Sequence, residues 1–212
     1  MKYGEIFDSS FPRAMQRDSV RIIWHGYQET FREVNTRHAR PEAHDLLGHE
    51  RRAYIERELR GMAQLYPDTI AKPEWNKTKT AAHTVITSGV IKLTESKART
   101  PWTIVHPCVF RSEYAEVFQP DLFKNDQYED RNEVSYIYSI ILHGYERSTP
   151  SIPSFVHVVF PDRDFNTYLY RIDLFKKFPD LLDELQGRPT DQTPPPTPLF
   201  LRKNRKTEEE DE

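Results

Sequence analysis

The stretch 134-VSYIYSIILHGYERSTPSIPSFVHVVFPD-162 decides the fold, because it holds two dense β-type runs. Residues 136–142 and 155–160 are rich in aromatic and β-branched side chains, and Gly144, Pro150 and Pro153 separate them. The pattern predicts two paired central strands. Both are apolar on both faces, so the sheet they start needs cover on at least one side.

Upstream the period is helical. Ser9 and Ser10 are placed to cap a helix that begins near Pro12, after a lead-in of residues 1–11. Met15, Val20, Ile23, Trp24, Tyr27, Phe31 and Val34 then recur every three to four residues. Pro41 opens a second helix whose apolar face runs through Leu47, Ile55, Leu59, Met62 and Tyr66 until Pro67. Two such helices joined by a brief connection form an antiparallel pair lying on the sheet.

Residues 67–80 mix prolines and lysines and read as an irregular connection. A hairpin follows, with residues 83–86 and 90–94 flanking a turn in which Gly89 supplies the positive φ. Residues 102–105 read as a third short strand, and Pro107 as the start of a helix. Residues 119–133 are a polar loop. After Pro161, residues 162–175 fit strand and helix alternation equally, and residues 178–185 read as a short helix. The expectation is one α+β domain over residues 12–186: an N-terminal helical pair packed on a mostly antiparallel sheet. Residues 187–212, with five prolines, a basic cluster and an acidic end, are expected to be a disordered tail.

Composition narrows the function classes. The single cysteine, Cys108, excludes an internal disulfide and any cysteine-based zinc site and fits a reducing compartment. No apolar run approaches a membrane span or a signal-peptide core, so the expectation is a cytoplasmic protein with no membrane partner. The net charge of -3 gives the chain as a whole no cationic field. Ten arginines crowd residues 13–60, but eight acidic residues share that span. A better basic patch comes from Lys77, Lys79, Lys92 and Arg99, interleaved with Trp75 and Trp102, around the first hairpin. These six are the candidate nucleic-acid-binding residues, and core packing of the tryptophans is the competing reading.

Candidates for catalysis are fewer. Glycines do not cluster as in a phosphate-binding loop, and no G-x-S-x-G is present. Cys108 reads as a buried, inert thiol. His143 and His157, on the two central strands, make a possible pair of transition-metal ligands with Asp162, Asp164 or Asp173, although no spacing is a metal signature. Glu95-Ser96-Lys97, Pro67-Asp68 and a helical carboxylate such as Glu58 form the last set. With the order helix, three strands, helix, two strands, this set resembles the nuclease core of the PD-(D/E)xK class. The resemblance implies Mg²⁺ held by carboxylates and a lysine that orients or activates the attacking water. It departs from that class in two places. Glu95-x-Lys97 falls at the end of the second expected strand where the class uses the third, and Asp68 falls in a loop.

The residues therefore favour a non-catalytic binding or regulatory protein that contacts a protein partner or nucleic acid, with no cofactor. A metal-dependent nuclease using Glu95, Lys97, Asp68 and Glu58 is the alternative, and only that alternative calls for Mg²⁺. The oligomeric state is not encoded in any pattern seen.

Overall fold

The structure, a computed structural model, describes residues 3–76, 79–106, 108–118 and 136–187. The elements are α1 (Tyr3–Ser10), α2 (Arg13–Arg37), α3 (Arg40–Ala63), β1 (Thr69–Trp75), β2 (Ala82–Ser88) and β3 (Ile91–Lys97). Then come α4 (Val109–Phe118), β4 (Ile137–Gly144), β5 (Phe155–Pro161), β6 (Tyr168–Asp173), α5 (Leu174–Lys177) and α6 (Pro179–Gly187). One sheet contains all six strands in sequence order, and every neighbouring pair is antiparallel except β3 and β4. A parallel pair needs a crossover, and α4 lies within it.

The two runs predicted as central strands are central. Every residue of β4 and of β5 is buried, because helices cover both faces of the sheet. On one face α1, α2, α3, α5 and α6 close a core around Ile86, Leu93, Ile141, Val158 and Phe160. On the other, α4 closes a smaller core of Val85, Tyr114, Tyr138, Ile140 and Val159. The α2 and α3 pair runs antiparallel, with Ser19 touching Met62 and Val34 clustering with Ala43 and Leu47. Gly26 lets the two helices close up, since a Cβ there would lie 2.7 Å from Ile55 Cγ1. The turn between β2 and β3 has Gly89 at φ 53, as its sequence requires.

Four expectations change. Residues 69–75, read as irregular, form β1; an edge strand buries little, so Pro73 and the lysines are tolerated and leave no apolar pattern. Residues 102–105 are not a strand. Their backbone is held by a side chain instead, with the Tyr168 hydroxyl accepting from Val105 N and donating to Thr103 O. The lead-in folds as α1, because Ile6 and Phe7 bury against the sheet. The ambiguous segment after Pro161 resolves into β6 followed by α5, with Asp173 capping the helix through its bond from Lys176 N. The readings made for Pro107, the loop at 119–133 and the tail beyond Gly187 lie outside the described residues. No helix among the described residues is long and apolar enough to cross a membrane.

Candidate functional site: a cleft where the sheet parts

The ladder between β2 and β3 is closed only from Ser88↔Ile91 to Ile86↔Leu93, although both strands continue. Beyond Leu93 they part. A cleft of about 640 Å³ lies in this opening, lined by Ala82 and His83 from β2 and by Glu95, Ser96 and Lys97 from β3. Gly48 and Arg52 of α3 form one wall, Phe110, Arg111 and Tyr114 of α4 the other, and Trp75 stands at its lip, 63% exposed. A parted ladder leaves carbonyls to satisfy. Arg52 Nη2 donates to Ala82 O at 2.9 Å from the α3 side, and Arg111 Nη2 reaches Glu95 O at 3.4 Å from the α4 side.

Glu95, Glu56 and Glu74 each have a fixed counter-group. Glu95 is buried and accepts from His143 Nε2 of β4 at 2.5 Å, while the Tyr27 hydroxyl of α2 lies 2.8 Å from His143 Nδ1. A neutral imidazole satisfies both contacts at once, donating to Glu95 and accepting from Tyr27. Behind this chain the Arg51 guanidinium lies 3.8 Å over the Tyr27 ring, and burial pulls its pKa below the usual arginine value. Glu56, one turn beyond Arg52, accepts from Arg52 Nε at 2.8 Å, contacts Thr84 Oγ1 at 3.2 Å and has Arg60 at 4.0 Å. Burial lowers the Arg52 pKa, but the bond to Glu56 and the charges of Glu56 and Glu95 more than offset it and hold it raised.

On the α4 side, Glu74 takes a short hydrogen bond from the Tyr114 hydroxyl and an ion pair from Lys72 at 3.2 Å. Burial pushes the Glu74 carboxyl up, yet Tyr114, Lys92 and Lys72 outweigh it and keep its pKa below the usual range. His83 stacks on Phe110 with ring centroids 3.7 Å apart, and burial lowers it to about 4.

The residues singled out in sequence are distributed as follows. Glu95 and Lys97 both reach the cleft, and with β1 in place they stand on the third strand, next to a parallel fourth. Asp68 precedes β1 at the opposite end of the sheet, roughly 15 Å away at the rise of a strand. Glu58 lies two residues past Glu56, so it points off the sheet-facing side of α3, and it pairs with Arg57 at 2.8 Å. Of the nucleic-acid set, Trp75 lines the cleft and Lys79 lies in the adjoining turn. Lys92 folds over the Tyr114 ring on the α4 face, while Arg99 and Trp102 are exposed after β3, where Arg171 covers the Trp102 ring at 4.2 Å. Lys77 lies outside the described residues.

His143 and His157 cannot share a metal. In register, His143 lies opposite Val156 of the larger core, whereas His157 lies opposite Leu142 of the smaller one, so they face opposite sides of the sheet. Cys108 is half-buried in the cleft wall. Arg52, Arg111, His83, Glu56 and Tyr114 were not legible as site residues, because nothing in their local spacing marks which helix faces will meet across the parted strands. Among the described residues no three His, Cys, Asp or Glu side chains group as metal ligands would. Comparison with protein-family models, with curated proteins and with solved structures finds no match to this chain.

Proposed function

We propose that the protein binds single-stranded nucleic acid in the cleft, without cutting it. The observation that carries this reading is the convergence of Arg52, Arg111 and Lys97 on a parted sheet where Glu74 and Glu95 already have partners of their own. Glu95 is bonded by His143 and Glu74 is paired with Lys72, neither of which lines the cleft. Arg111 and Lys97 make no ion pair among the described residues, while Arg52, held by Glu56 through Nε, offers a phosphate only its outer N–H groups. Arg111 Nε is buried and has no hydrogen-bond partner among the described residues. Trp75 offers an aromatic face at the lip, and stacking one base on such a face contributes about 1–3 kcal/mol.

A metal-dependent nuclease is the second reading, favoured by Glu95-Ser96-Lys97 on the third strand beside a parallel β4. The donor set does not fit Mg²⁺. Both oxygens of Glu56 are engaged, by Arg52 and by Arg60 with Thr84, and Oε1 of Glu95 is taken by His143, so Thr84, not a second carboxylate, faces Glu56 on the β2 side.

Fluorescence anisotropy with labelled single-stranded DNA and RNA, in EDTA and in Mg²⁺, separates the readings. Binding in EDTA is expected, with a log–log salt slope near -2, as about three phosphate contacts on a single strand give. Arg52→Ala combined with Lys97→Ala should weaken it at least tenfold. Strand cleavage that requires Mg²⁺ and is lost in Glu95→Ala moves the conclusion to the nuclease. No binding to either nucleic acid removes both readings and leaves a protein partner for the cleft.

A further inference from the structure

The α4 wall of the cleft carries a hydrogen-bond chain whose direction follows from which groups can donate. An ionised Glu74 only accepts, so its bond with Tyr114 is donated by the phenol. That hydroxyl has one proton. The 3.3 Å contact between Tyr114 Oη and His83 Nε2 is therefore donated by the imidazole. Burial keeps His83 neutral at pH 7, with a single N–H, and the chain places it on Nε2.

Nδ1 is then a bare acceptor, because among the described residues the His83 ring makes its one hydrogen bond through Nε2. Stacking on Phe110, with the planes 16° apart, fixes the ring, and the ring lines the cleft. The Tyr114 contact holds its tautomer. A rigid acceptor of this kind discriminates by what a ligand turns toward it: a donor completes a hydrogen bond, while a carbonyl oxygen meets lone pair with lone pair.

We propose that His83 reads the base of a bound strand, its Nδ1 accepting from the exocyclic amino group of cytosine or adenine and rejecting the carbonyl that uracil or thymine presents at the same ring position. This rests on the nucleic-acid reading of the cleft. Arg52, Arg111 and Lys97 hold phosphates and are indifferent to sequence, so His83 supplies the selectivity they lack.

The test compares oligodeoxycytidine with oligodeoxyuridine of equal length on the full chain, because the two differ at the amino or carbonyl group and at the ring nitrogen beside it. Wild type is expected to bind the cytidine strand about tenfold more tightly, the scale of one well-placed base contact. In His83→Phe, which keeps a ring against Phe110, the ratio falls to about one. Tyr114→Phe removes the hydroxyl that fixes the tautomer, and the ratio falls part of the way. Equal affinity of wild type for both strands, or a ratio that survives His83→Phe, overturns the inference and leaves the binding reading standing. Binding to neither strand overturns both.

Discussion

His83 also links the site to stability. Its pKa of about 4 lies below the value near 6.5 of an unfolded histidine, so between those values the unfolded chain binds more protons. The contribution is full above pH 6.5 and is lost as pH falls toward 4. Burial lowers the pKa of His157 too, which adds to the same trend, while Glu74, held below the usual carboxylate range, acts at lower pH. Urea unfolding should therefore show a loss on the order of 2 kcal/mol between pH 7 and 4.5. His83→Phe should flatten that slope. A wild-type stability unchanged over this range would mean that His83 is protonated in the fold, and the direction assigned to its hydrogen-bond chain would fall with it.

At the scale of elements, α2 and α3 set the depth at which Tyr27 and Arg52 approach the sheet. The two helices pack tightly at Gly26, where an added methyl meets Ile55, itself fully buried. Two effects compete in Gly26→Ala. Helix propensity favours alanine by about 1 kcal/mol, and overpacking a closed core costs about 1–3 kcal/mol. The second wins because Ile55 has no solvent to move into, so thermal unfolding should show a net loss of about 1 kcal/mol. A stabilised variant would show that the helix pair slides without resistance.

The helix pair and the two central strands were legible because each buries a regular face, and periodicity records burial. β1 was not, since Ile70 and Trp75 of that edge strand remain exposed and Pro73 interrupts it. Missing β1 had a consequence. It counted Glu95 and Lys97 onto a second strand, when the sheet carries them on its third.

For the molecule as a whole, the sheet is strongest at its centre and parts on one side. β4 is paired along its length with β3 and buried on both faces, whereas β2 and β3 share only three paired positions. Amide hydrogen exchange should rank accordingly. Ile140, Ile141, Val158 and Val159 should exchange slowest, and residues 82–84 faster, with side chains rather than a strand closing the gap beside them. Uniform protection across residues 82–97 would show that the strands close in solution and that the cleft is shut.

The sequence by itself determined the α+β class, the helix pair and the central strands, together with Gly89 in the turn, because each follows from side chains within a few positions of one another. Tertiary structure alone decided that β2 and β3 part and that Arg52 and Arg111 reach the gap from opposite faces. It alone also paired Glu95 with His143, 48 residues away. Those facts depend on strand order and on a helix crossing between two parallel strands. Local spacing holds no record of either.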